Sequence, residues 1–204
     1  MSQLKLTADG GGGTVSLKGP STTTGNAAIE LTVPGTGNAT LATTSDSFGK
    51  ILQVVQTVKT DVVSRGGSSG TDTLAAISGF SVDITPSATS SKILVLVNIK
   101  QGSLSNGWAK YQLYRDSTPI YLGDTASGKT PLSSFNYVTS DYEMYTVSEN
   151  FLDSPNTTSQ ITYQVYWGVR TDSGDLAYIN RTGNDSGNYA PRTASSITAM
   201  EVAG

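Results

Sequence analysis

The sequence predicts an all-β protein: a short-stranded, Gly-rich N-terminal stalk or anchor over residues 1–48, then an antiparallel, jelly-roll-like β-sandwich head over residues 49–204. Three observations predict it. Only 36% of the 204 residues are hydrophobic and 14% are charged, while Gly, Ser, Thr and Asn are abundant, the composition of turn-rich β structure rather than of helices. Apolar and polar residues alternate, as in Phe80-Ser81-Val82-Asp83-Ile84 and Ile197-Thr198-Ala199-Met200-Glu201-Val202, and nowhere recur with helical spacing over three turns. All ten Tyr and both Trp lie between Trp108 and Tyr189, whereas residues 1–47 hold no aromatic, so the core belongs to the second part.

The first part reads as short alternating pieces, Leu4-Lys5-Leu6, Val15-Ser16-Leu17 and Ile29-Glu30-Leu31-Thr32-Val33, set between Gly10–Gly13, Gly19-Pro20, Gly25-Asn26 and Pro34-Gly35. So little apolar surface does not offset an ordering entropy of roughly 1–2 kcal/mol per residue, and pairing with copies of itself would solve that problem. A flexible Gly/Ser linker is the plainer reading, against which the regular alternation speaks.

In the head, strands are expected at 50–59, 74–85, 92–100, 109–116, 119–122, 133–139, 143–152, 160–170, 176–180 and 194–202. If each strand reverses the one before it, loops 60–73, 101–108, 123–132, 153–159 and 181–193 share one end. Connections 86–91, 117–118, 140–142 and 171–175 then share the other, with the stalk junction and the C-terminus.

Composition removes several functions. A net charge of -3, with 13 basic residues spread along the chain, gives no stripe to track phosphates, so nucleic acid is not an expected partner. The longest apolar run, Ile93 to Val97, is too short to span a bilayer, and membrane insertion is not expected. Without Cys there are no disulfides or thiolate metal sites, and without His the usual general base and the Ser-His and Cys-His pairs are gone. No enzyme, cofactor or metal site is predicted.

Four patterns invite chemistry. Gly123-Asp124-Thr125-Ala126-Ser127-Gly128-Lys129-Thr130 matches the phosphate-binding loop letter for letter, but Pro131 and the strand-like alternation after it leave no helix to meet a phosphate. Asp141 with Glu143, and Asp172 with Asp175, are the close carboxylate pairs, both at expected turns or strand edges. Asp172-Ser173-Gly174-Asp175 and Asn184-Asp185-Ser186 resemble calcium loops without a complete ligand pattern and read as Asx turns. The sequons at Asn38, Asn156, Asn180 and Asn184 matter only in a secretory pathway, which nothing indicates.

The aromatics point to binding. Tyr at alternating positions reads as core or subunit interface. Trp108, after Gly102-Ser103-Leu104-Ser105-Asn106-Gly107, sits in a sequence that turns; it either grips a sugar or peptide or plugs the end of the core. The candidate receptor-contact residues at its end of the sandwich are Arg65, Asn106, Trp108, Asp124, Lys129, Arg181, Asn188, Tyr189 and Arg192.

Gly49-Lys50-Ile51-Leu52-Gln53-Val54-Val55-Gln56 with Lys59-Thr60-Asp61, and Ile84-Thr85-Pro86-Ser87 with Ser90-Ser91-Lys92-Ile93-Leu94-Val95, carry a resemblance. It continues in Arg115-Asp116-Ser117, Phe151-Leu152-Asp153-Ser154-Pro155, Tyr178-Ile179-Asn180-Arg181 and Ala194-Ser195-Ser196-Ile197-Thr198-Ala199-Met200-Glu201, covering most of 49–202. The run Leu17-Lys18-Gly19-Pro20 with Leu31-Thr32-Val33-Pro34 is similar to the Gly-rich repeats that precede such domains. These elements resemble the fibre-like virion proteins of tailed phages of marine bacteria, found as tail or capsid fibres and spikes. The resemblance implies a virion location and a homotrimer. A trimeric jelly roll on a stalk is also similar, at the level of fold alone, to tumour-necrosis-factor and complement-like heads.

The expected function is therefore that of a non-catalytic fibre or spike subunit. Residues 1–48 would anchor it to other virion proteins of the tail or capsid, and its distal loops would contact a host surface glycan or protein. A capsid decoration or cement protein without receptor binding is the first alternative, and a polysaccharide depolymerase the second.

Overall fold

A computed structural model describes residues 4–7, 14–17, 49–66, 73–104, 107–169 and 176–204. Two compact units divide between Thr43 and Thr44. In the first, strands β1 (Leu4–Thr7) and β2 (Thr14–Leu17) form an antiparallel pair, Leu4 opposite Leu17 and Thr7 opposite Thr14.

The second unit is an antiparallel β-sandwich. Its strands are β3 (Ile51–Lys59), β4 (Val63–Gly66), β5 (Ala75–Ile84), β6 (Lys92–Ser103), β7 (Gly107–Arg115) and β8 (Thr118–Ile120), then β9 (Ser134–Val138), β10 (Met144–Asp153), β11 (Ile161–Val169), β12 (Leu176–Ile179) and β13 (Ser195–Val202). In sheet I, one edge of β6 pairs first with β13 and then with β12, these pair outward with β3 and β4, and the other edge of β6 takes β10. In sheet II the order is β5, β11, β7, and the free edge of β7 takes both β8 and β9. Read along the chain, β3, β5, β6 and β7 pair with β13, β11, β10 and β9 in reverse order, one long antiparallel ribbon wrapped over two sheets. That is the jelly roll.

Alternation builds the core. Along β6, Ile93, Val95, Val97 and Ile99 all turn inward, and Phe80, Val82 and Ile84 of β5 meet them with Tyr111, Leu113, Tyr163, Val165 and Trp167 of sheet II. Gly79, at φ 68°, supplies the left-handed residue of a bulge in β5, where its register against β11 shifts between Gln164 and Tyr166.

Polar groups lock the frame. The Glu201 carboxylate, 1% exposed, accepts hydrogen bonds from the Ser87 amide and hydroxyl, the Ser91 hydroxyl and Gln53 Nε2, all at 2.6 Å. It pins the β5–β6 connection to β13. Asn180, left-handed at φ 69°, donates to the carbonyls of Lys59 and Asp61 and accepts from Ser195 Oγ, joining the ends of β3, β12 and β13.

The strand count misled the placement of loops. β8 and β9 both run antiparallel to β7 along one edge, as two parts of a strand interrupted by residues 121–133; β12 and β13 stand in the same relation to β6. No reversal occurs at either interruption. The near end, where the chain enters at Gly49-Lys50, holds 85–91, 116–117, 154–160 and the C-terminal residues, with Ala203 N donating to the Lys50 carbonyl. The far end holds the termini of β4, β6, β9 and β11 and the turn 139–143. Connection 153–159 thus lies at the near end and 140–142 at the far end, opposite to expectation, and 121–133 lies along the flank of β7.

The two outer faces differ. Loop 180–194 folds over the far half of sheet I, its Arg181 guanidinium 3.7 Å over the Tyr178 ring. Among the described residues nothing covers the rest of that face, where Leu52, Val54, Val58, Leu96 and Leu152 are exposed.

Candidate functional site

The far end collects exposed aromatics, and the local chain geometry explains each. Trp108 is in strand β7, not in a loop, because Gly107–Tyr111 pairs with Ser134–Val138; this places Trp108 opposite Tyr137 and Lys110 opposite Phe135 on the outer face of sheet II. Phe135 and Tyr137 pack edge-on to the Trp108 indole, with centroids 5.4 and 5.7 Å apart. Half-buried Trp108 is thus the base of an aromatic cluster whose outer members, Phe135 and Tyr137, face solvent. The resulting platform neither plugs the core nor projects as a loop.

Next along the chain, turn 139–143 projects Tyr142, 60% exposed. Glu143 closes this turn: its Oε2 accepts from the Thr139 amide and hydroxyl, the Ser140 amide and the Tyr145 hydroxyl. Those hydrogen bonds, the Thr139 hydroxyl foremost, hold the Glu143 carboxyl below its usual range. This carboxylate acts as a turn brace, and its neighbour Asp141 offers its backbone carbonyl to Asn184 N at 2.8 Å.

Loop 180–194 is the third part. Arg181 and Arg192 bridge across its base, and Asp185 pairs with both, at 2.9 and 2.5 Å. Asn184 Oδ1 accepts from the Ser186 amide and hydroxyl, the expected Asx turn. A single 3-10 turn, Gly187–Tyr189, then presents Tyr189, 82% exposed, beside exposed Asn188.

The sequence-predicted residues divide accordingly. Arg181, Asn188, Tyr189 and Arg192 come together in one loop. Arg65 sits on β4 at the edge of sheet I, half-buried, its Nη2 donating to the Thr73 carbonyl at 2.6 Å. Asp124 and Lys129 do not join them: both are exposed in the flank insertion, whose Ala126–Lys129 turn leads into β9, a strand where a phosphate loop needs a helix. Asn106 lies outside the described residues, as do Asp172 and Asp175.

Phe135, Tyr137 and Tyr142 were the residues missed. The signal was present in the brevity of β8, three residues containing Pro119, which marks it as a strand fragment rather than a full crossing of the sheet.

No protein-family model matches the chain, and no curated protein matches it. Among solved structures, one of the infectious bursal disease virus Gt strain is similar at 15% identity and TM-score 0.43, covering 84% of this chain and 43% of that one. T=1 particles derived from the same virus give 17% identity and TM-score 0.42, covering 84% and 41%. A VP2 subviral particle of that virus gives 16% identity and TM-score 0.38, covering 84% and 46%. The chain spans less than half the length of each.

Proposed function

We propose that this chain is a non-catalytic structural subunit of a virion, a homotrimeric fibre or spike protein held through residues 1–48 and touching the host surface with the far end of its sandwich. The sequence resemblance supports the virion assignment. The observation that carries the contact role is the gathering of exposed aromatics: Phe135, Tyr137, Tyr142, Tyr145 and Tyr189 belong to the far-end platform, turn and loop, and of the exposed aromatics among the described residues Tyr121 lies apart, on the flank insertion. Tyr beside Asn and Arg provides rigid rings to cover the apolar face of a sugar or peptide and polar groups to take its hydroxyls. Three copies in a cyclic trimer multiply a weak single contact.

Virions whose subunits carry Tyr142→Ala and Tyr189→Ala are expected to assemble normally and to adsorb to host cells about tenfold more slowly, the loss of one modest hot spot. Unchanged adsorption overturns the contact role. The exposed aliphatics on the outer face of sheet I favour a second reading, a capsid decoration protein without receptor binding, for which electron cryomicroscopy would place the subunit on the capsid and the Tyr142→Ala and Tyr189→Ala virions would adsorb at an unchanged rate.

A further inference from the structure

We infer that the uncovered part of the outer face of sheet I is the seam between copies of this chain, an inference that rests on the homotrimer proposed above and names its interface. Cross-strand register lays three rows over four strands: Val54, Met200, Leu94 and Leu152; Gln56, Thr198, Leu96 and Asn150; Val58, Ser196, Asn98 and Ser148. None of these side chains is charged. Val54 is 57% and Leu152 48% exposed, at opposite edges of the first row.

Such a face needs an occupant. Strands about 4.8 Å apart and rows spanning about 20 Å give an uncharged face of about 400 Å²; six of its twelve side chains are apolar, and Val54, Val58, Leu96 and Leu152 among them are exposed. Depletion of charge is the compositional mark of an interface centre. The polar rows satisfy themselves laterally, Gln56 Nε2 donating to Thr198 Oγ1 at 2.8 Å and Asn98 Nδ2 to Ser148 Oγ at 3.2 Å. They therefore demand no partner charge, which suits the same face of another copy better than a charged ligand. A shallow depression of about 410 Å³, lined by Gln56, Leu96, Asn98, Ser148 and Thr198 with Glu149 as its one charged residue, receives an inserted side chain.

Continuity selects the second copy. The chain enters β3 at Ile51, on the rim of this face, from the segment that the sequence reading pairs with its own copies. A stable interface takes about 800 Å² per partner, and the face supplies about half of that. Loop 180–194 covers the other half of the sheet, leaving the far-end aromatics clear of the seam.

The chain contains no Cys, so one introduced thiol reports its own surroundings. In the full-length protein, Leu96→Cys is expected to give covalently linked copies with a short bismaleimide, and Asp124→Cys, on the flank, to give none. Sedimentation of the unmodified chain is expected to give a trimer, and the surface variant Val54→Glu with Leu152→Glu a monomer of unchanged melting temperature. Cross-linking at Asp124→Cys but not Leu96→Cys, in a chain that still sediments as a trimer, overturns the seam and leaves the trimer standing. A trimer whose Leu96→Cys thiol is shielded yet never links also overturns it, assigning the face to the chain's own N-terminal segment. A monomeric unmodified chain overturns both the seam and the trimer.

Discussion

Tyr163 on β11 donates its hydroxyl hydrogen bond to Asp153 Oδ2 on β10 at 2.6 Å, crossing from sheet II to sheet I, while Arg115 Nη1 holds both oxygens of the same carboxylate at 3.0 and 2.9 Å. Burial first, and the Asp153 hydrogen bond second, push the Tyr163 phenol up. Tyr111, equally deep, finds no partner for its hydroxyl among the described residues. The two tyrosines therefore predict opposite outcomes. Tyr163→Phe is expected to cost about 1–3 kcal/mol, since it strips a donor from a buried carboxylate, whereas Tyr111→Phe is expected to leave stability unchanged or raise it by up to about 1 kcal/mol. Urea unfolding of both variants checks the pair.

Glu201 predicts an acid limb. Burial pushes its carboxyl up, but the hydrogen bonds from Ser87, Ser91 and Gln53 together outweigh that and bring it down to about 2. A folded value below the unfolded one means stability that is fully present above about 4.5 and lost as pH falls toward about 2. Glu201→Gln removes this dependence. The stability difference between the two proteins is expected to shrink as pH drops through that window, read from thermal melts at a series of pH values.

Gly102 predicts a steric fault. A Cβ there would collide with the Arg181 carbonyl oxygen and the Thr182 backbone, which the loop lays directly on β6. Gly102→Ala is expected to cost about 1–3 kcal/mol and to open loop 180–194 to proteolysis. Gly123→Ala, whose Cβ would sit 3.7 Å from the Leu132 oxygen, is the control and is expected to stay within about 0.5 kcal/mol.

Asp185 predicts a local effect. It holds Arg181 and Arg192 together at the base of the same loop, with its side chain 44% exposed. An exposed ion pair is worth about 0–1 kcal/mol and is screened by salt. Asp185→Asn is expected to barely move the melting temperature while speeding cleavage within 186–191, and high salt to produce the same effect in the unmodified chain.

Local pattern was enough where burial follows the chain itself. The alternation of Ile93, Val95, Val97 and Ile99 marked β6, and that of Ile197, Ala199 and Glu201 marked β13, because one face of each strand meets the core. What local pattern misses is direction. Residues 121–133 carry the Gly, Ser and Pro of a reversal, yet the chain resumes its course because β7 has an unfilled edge to pair, with Ser133 bonded to Tyr111 and Leu113. Trp108 was misread for the same reason: the Gly before it looked like a turn, and only pairing with Tyr137, far along the chain, makes it a strand.

The mirrored pairing order also sets a schedule. On a chain emerging from the ribosome, β7 and β9 find each other early, while β3, among the first strands of the sandwich to be made, waits for β13, among the last. Non-local closure of this kind is slow and leaves strand edges open meanwhile. Sheet I is therefore incomplete until β13 has been made, so the rows that run across β3, β13, β6 and β10 do not exist before then. A surface that is not yet built cannot join neighbouring chains on one message, so this face stays out of reach of any partner until its own sandwich has closed.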